Sequence, residues 1–150
     1  MKSLPTKRIA ILLLVLIGLT GCNLLVGRYH FLEGERLYNA NKFYEAIKAF
    51  DGAITNGYKP HESYAYRGLA HFHLGQYDLA IADNNAALAI TPDYAPAYNG
   101  RGLAYYRKGE IDKTIADMER VLKYSDEPEL REAAIKLLQA LKARNGANTP

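Results

Sequence analysis

The sequence predicts an all-α chain: three helix–turn–helix units in tandem, closed by one further helix at the C-terminal end. Three observations predict it. Gly34, Gly68 and Gly102 recur at a spacing of 34 residues, and a fixed period of that length marks stacked supersecondary units. Apolar residues within each copy follow the i, i+3, i+4, i+7 rule of one helix face. Asn41, Gly75 and Gly109 occupy one position of the period, where residues that tolerate a left-handed backbone end a helix.

The amino end stands outside this pattern. Lys2, Lys7 and Arg8 give a short basic start, and Ile9 to Leu19 is an uncharged run of 11 residues. A spanning helix needs roughly 20. A basic start, a short apolar run and a small-residue stretch (Thr20, Gly21) read as a signal peptide over residues 1–21; an uncleaved anchor is the alternative. Residues 22–27 then form a short linker, whose extended reach is about 20 Å. Cys22 is the one cysteine, so no intramolecular disulfide forms.

The repeats fall at residues 28–60, 61–94 and 95–127. Tyr64 to Ala70 aligns with Tyr98 to Ala104, and Leu74 to Asp83 with Lys108 to Asp117. Residues 41–50 fit the same frame more weakly. The second helix of copy one shows Phe43, Ala46, Ile47, Phe50, Ala53 and Ile54; copy two shows Tyr77, Ala80, Ile81, Ala87 and Leu88. Pro60, Pro92 and Pro128 lie between helices, where proline stops one and starts the next. Over 128–144 Leu130, Ala134, Leu137, Leu138 and Leu141 form a stripe, with Arg131, Glu132, Lys136, Gln139 and Lys142 opposite. A terminal repeat needs its apolar face covered, so this is a capping helix; a stripe that also meets a partner or a second copy is the alternative. Residues 145–150 read as a frayed tail.

Charge and residue inventory exclude several function classes. From residue 22 onward 16 basic residues face 16 acidic ones, and a neutral body lacks the basic face that nucleic acid requires. No Gly-rich phosphate loop, nucleophile elbow or CxxC pair occurs, and the body has two serines, Ser63 and Ser125. His71 and His73 are two residues apart, which on a helix points them away from each other, so they do not share a metal. Asp78, Asp83, Asp112 and Asp117 sit at repeat-equivalent positions, a structural pattern first. The expectation is no catalytic residue, no metal and no cofactor.

Two resemblances add to this. Leu19-Thr20-Gly21-Cys22 resembles the bacterial lipoprotein box, which implies diacylglycerol on the Cys22 thiol and cleavage before it. Two or more acyl chains hold a protein stably on a membrane. Asn23 resembles the outer-membrane-sorted class of such lipoproteins. The repeats resemble the tetratricopeptide repeat through Gly34, Gly68 and Gly102 in the first helix and Ala46, Ala53, Ala80 and Ala87 in the second. They depart from it at His30, Tyr64 and Tyr98 (usually Trp), at Glu33, Arg67 and Arg101 (usually Leu), and at Thr114 and Val121 (usually Ala).

The tetratricopeptide resemblance implies a right-handed solenoid whose first helices line a concave groove. It places Tyr38, Tyr66, Leu69, Phe72, Asn99, Leu103, Tyr106 and Arg107 there as partner-binding residues, with individual rings alternatively packing between helices. The lack of a side chain at Gly100 leaves room there for a ligand backbone. Phe31, Glu35, Tyr66, Pro96 and Gly100 stand where carboxylate-clamping members carry Lys, Asn and Arg, so that clamp is not expected. The implied function is a lipid-anchored adaptor of the bacterial cell envelope that binds an envelope protein or peptide segment. A self-assembling structural subunit is the alternative, and an enzyme the more distant one.

Overall fold

The computed structural model describes the backbone of residues 6–146 and the side chains of residues 21–144. Seven helices follow one another: α1 (Thr6–Asn39), α2 (Phe43–Thr55), α3 (Pro60–His73), α4 (Tyr77–Ile90), α5 (Ala95–Lys108), α6 (Ile111–Tyr124) and α7 (Pro128–Gly146). No strand occurs among the described residues. Each helix packs chiefly on its neighbours in sequence, and α1, α3 and α5 also meet in order. That is the nearest-neighbour architecture of a solenoid, as the period predicts.

The turns are where the period puts them. Asn41 (φ 59°), Gly75 (φ 74°) and Gly109 (φ 79°) are left-handed. In each turn the following N–H reaches back to a carbonyl five residues earlier: Lys42 to Leu37, Gln76 to His71, and Glu110 to Tyr105, all at 2.9 Å. This is the Schellman closure that satisfies the last carbonyls of a helix.

The core is a row of small clusters. Phe31, Leu37, Ala46, Ala49, Phe50 and Ala53 form the first, Ala65, Ala87, Leu88 and Ala97 the second, and Met118, Val121 and Ala134 the third. The period's glycines let paired helices touch: a Cβ on Gly34 would lie 2.6 Å from Phe50 Cε1, and one on Gly102 would lie 2.5 Å from Met118 Cε. Each ring or thioether fills the space that the missing Cβ leaves.

The arginines that replace the usual leucine have a structural reason. Arg67 donates to both carboxylate oxygens of Asp83 (2.9 and 2.5 Å) and also to Asp51 of the preceding repeat. Arg101 repeats this with Asp117 (2.9 and 2.7 Å) and with Asn85 at 2.6 Å. Each arginine therefore clasps its own repeat and the one before. The first copy has Glu33 and Ala49 at the corresponding positions, so arginine and aspartate appear or vanish together.

Two boundaries differ from the sequence reading. Helix α1 runs unbroken through residues 22–27, read as a linker. No proline interrupts this stretch, and Gly27 is buried against Tyr58 and Asn56, so the helix is already docked there. At 1.5 Å per residue the six residues span about 9 Å instead of about 20 Å. Helix α7 extends to Gly146, past the cap boundary at 144, while the rest of the frayed-tail reading (147–150) lies outside the described residues. The capping stripe is in place: Ala134 and Leu141 are buried, with Leu130, Leu137 and Leu138 half-buried against Met118 and Val121. Arg131, expected on the open face, donates instead to the carbonyls of Leu122 and Ser125 at the end of α6.

Candidate functional site

The concave face is built by α1, α3 and α5, and the side chains assigned to it separate into three groups. The first group packs inside the array. Tyr66 stacks on Phe50 (centroids 5.4 Å apart, 13° between planes) and meets Phe31 and Tyr38 edge-on. The Tyr38 hydroxyl hydrogen-bonds His73 Nε2 at 3.0 Å, and its ring meets Phe43 and His73 edge-on. Burial raises the pKa of both tyrosines; for Tyr66 the nearby Glu35 and Glu62 add to it. These two rings act chiefly as interhelix packing.

A second group lies toward the outer end of the groove. Tyr106 is 39% exposed, Asn99 and Leu103 are half-buried, and Arg107 is exposed. The Arg107 guanidinium stands 5.8 Å over the Phe72 ring and 5.3 Å over Tyr77. A cation held over two rings is a wall as much as a free donor.

The third group forms a pocket. Leu69 and Tyr66 of α3 join Ala65, Tyr94, Pro96 and Glu127 around a concavity of about 270 Å³. Beside it a second concavity of about 510 Å³ is lined by Tyr94, Pro96 and Glu127 again, together with Asp93, Asp126 and Tyr124. No lysine, arginine or histidine lines either one. The Tyr94 hydroxyl is pushed up to about 12, first by burial and then by Glu62, Tyr66 and Glu127. The hollow is thus apolar on its walls and anionic at its rim.

Tyr94 and Glu127 lie in the loops that precede α5 and α7, outside the first-helix positions that the repeat pattern assigns to the groove. For Glu127 a signal is present in the period: Lys59, Asp93 and Glu127 occupy one repeat position, so the sign of charge at the groove edge reverses after the first copy.

One expected opening is closed. Gly100 is buried, and a Cβ there would lie 2.8 Å from Asn84 Oδ1. The glycine makes room for the Asn84 amide, not for a ligand. Asn84 stands where the other copies carry Phe50 and Met118, and its Nδ2 donates to the Ala80 carbonyl at 2.8 Å. His71 is likewise structural: its Nδ1 pairs with Gln76 Oε1 at 2.7 Å. Cys22 is exposed. Among the described residues no helix is long and apolar enough to cross a membrane and no histidine, cysteine and carboxylate cluster has the makings of a metal site.

Residues 68–109 match a TPR-repeat family model and residues 95–128 match the tetratricopeptide-repeat model. The first such domain of human RPAP3 is 25% identical and superposes with a TM-score of 0.70, covering 81% of this chain and 96% of that one. The first tetratricopeptide domain of Spaghetti (RPAP3), bound to the HSP90 peptide SRMEEVD, is 25% identical with a TM-score of 0.68 over 79% of this chain and 95% of that one. The Yersinia enterocolitica type III secretion chaperone SycD, in complex with a peptide of the translocator YopD, is 18% identical with a TM-score of 0.72 over 79% and 93%. Among curated proteins no sequence matches. The fold is a tetratricopeptide-repeat array, and residues 68–128 carry the repeat's sequence pattern.

Proposed function

We propose that this protein is a membrane-tethered adaptor of the bacterial cell envelope, which holds a segment of a partner protein in its concave groove. The observation that carries the binding half is the pocket of Ala65, Tyr66, Leu69, Tyr94, Pro96 and Glu127. An apolar hollow with a few polar groups at its edge is the usual form of a recognition site. The rim adds the chemistry of the partner. Asp93, Asp126 and Glu127 have no cation among them in the pocket linings, so the favoured segment places an apolar side chain in the hollow and Lys or Arg beside it. That is the reverse of an acidic C-terminal peptide, which the absence of clamp residues at Phe31, Glu35, Tyr66, Pro96 and Gly100 already disfavours.

Selection from a random peptide library tests this reading. Enrichment of Lys or Arg next to Leu, Phe or Tyr is expected; enrichment of acidic C-termini, or none at all, would refute it. Against a selected peptide, Leu69→Ala with Glu127→Lys is expected to cost about 2 kcal/mol, roughly 30-fold in affinity, as truncated interface anchors often do. The helical circular-dichroism signal should persist. Tyr66→Ala is not a clean test, because it removes the partner of Phe50. Asp117 is not a neutral control either, being buried against Arg101; the exposed Glu119 of α6 serves instead.

The tethering half is carried by the sequence Leu19-Thr20-Gly21-Cys22 after a short apolar run, with the Cys22 side chain open to modification. The proposed address is the periplasmic face of the outer membrane where there is one, following Asn23. Cys22→Ser is expected to abolish palmitate incorporation and leave an unprocessed precursor. Labelling that is unchanged in Cys22→Ser would refute acylation at this residue. A self-assembling lipoprotein is the second reading; a discrete oligomer of the purified chain that selects no peptide would favour it.

A further inference from the structure

The array is closed at one end. At its C-terminal end α7 lays Leu130, Ala134, Leu137, Leu138 and Leu141 over α6. At the other end α1 has no such cover among the described residues. Leu25 is 68% exposed, Tyr29 66%, Leu32 52% and Val26 45%. On a helix turning about 100° per residue, these four and Cys22 fall within an arc of about 120°. The buried Gly27, Phe31 and Gly34 lie on a separate arc of α1, and Leu24, 53% exposed, falls beyond them. The stripe is about 15 Å long at 1.5 Å per residue. A contiguous apolar patch on an otherwise water-compatible array marks an interaction surface, and terminal repeats need their apolar faces covered.

Four observations say what covers it. The exposed stripe continues in sequence from the apolar run Ile9 to Leu19, so a retained apolar segment and an acyl chain on Cys22 both bring residue 22 to a lipid surface. Cys22 is itself the first member of the stripe, so an anchor there pulls the neighbouring apolar side chains toward the same surface. Helix α1 is continuous from Cys22 into the first repeat, which leaves no slack chain to lift the array away. Arg28 is exposed on the same stretch, as basic residues are beside the apolar face of helices that lie in a membrane interface.

We infer that α1 lies along the lipid surface, with Leu25, Val26, Tyr29 and Leu32 inserted at the headgroup boundary. The inference rests on the membrane-tethered reading above. The anchor then docks the array in one orientation instead of holding it on a flexible leash, and the groove faces its partners at a fixed height.

The full chain in isolated membranes tests this. An environment-sensitive fluorophore is attached through Leu32→Cys and, in a second protein, through Glu119→Cys on α6; the labelled peptide is confirmed by mass. A lipid-borne quencher is expected to act several-fold more strongly at position 32 than at 119, and aqueous iodide several-fold more weakly. Equal iodide quenching at the two positions, in a chain that stays with the membranes, would overturn the docked helix and leave the tether standing. Disulfide-linked pairs through Leu32→Cys would overturn it in favour of a second copy as the cover. A chain absent from the membranes would overturn the tether and the docked helix together.

Discussion

Phe50→Ala is expected to cost about 3–5 kcal/mol, the range for deleting a buried phenylalanine side chain, and to lower the melting temperature by roughly 10 °C. Phe50 is fully buried. It fills the gap over Gly34, meets Phe31 edge-on at 6.0 Å between centroids and stacks on Tyr66 of the next repeat. Its loss therefore empties the first cluster and loosens the joint to the second. In an array held by nearest-neighbour contacts, amide exchange should accelerate first in α1 and α2. Gly34 supplies the decisive control. Alanine is normally preferred over glycine inside a helix by about 1 kcal/mol, yet here its Cβ would lie 2.6 Å from the Phe50 ring. Gly34→Ala should destabilise the parent and stabilise the Phe50→Ala protein. A change of the same sign in both backgrounds would show that the ring does not occupy this space.

What the sequence made readable follows from which interactions are local. The turns at Asn41, Gly75 and Gly109 depend on a left-handed backbone that few residues tolerate, so residue type alone locates them. The second-helix alanines were legible because helix spacing assigns a face, and Ala46, Ala53, Ala80 and Ala87 are all buried. Spacing does not assign depth. Tyr66 and Leu69 both line the pocket, yet only Tyr66 is also locked against Phe50. Gly100 was misread for a related reason: an absent side chain looks the same in sequence whether a ligand or the Asn84 amide takes the space. The missed roles of Arg131 and Tyr94 depend on where a loop brings the next helix, which no period encodes. The helical path through residues 22–27 escaped because Gly27, which looks like a linker residue, is a close-packing point against Tyr58.

Arg101→Leu is the second substitution with a large expected effect, although leucine is the residue that tetratricopeptide repeats usually carry there. The Asp117 side chain is 6% exposed and accepts two hydrogen bonds from Arg101. Leucine would supply apolar volume and leave that carboxylate buried without its cation. Removing one partner of a buried pair costs about 3–5 kcal/mol; because the Arg101 side chain keeps 21% of its exposure, water reaches the site and about 3 kcal/mol is the expected value. The staple to Asn85 is lost as well, so the second and third repeats should part more readily. Replacing both partners is a different matter, since an apolar pair often equals or exceeds the ion pair it replaces. Arg101→Leu with Asp117→Ala should return to within about 1 kcal/mol of the parent, a coupling readable by denaturant titration of the four proteins of the cycle. Additive losses in the double variant would mean that the two residues act separately. Recovery would mean that this array holds its second and third repeats together with an arginine and aspartate staple.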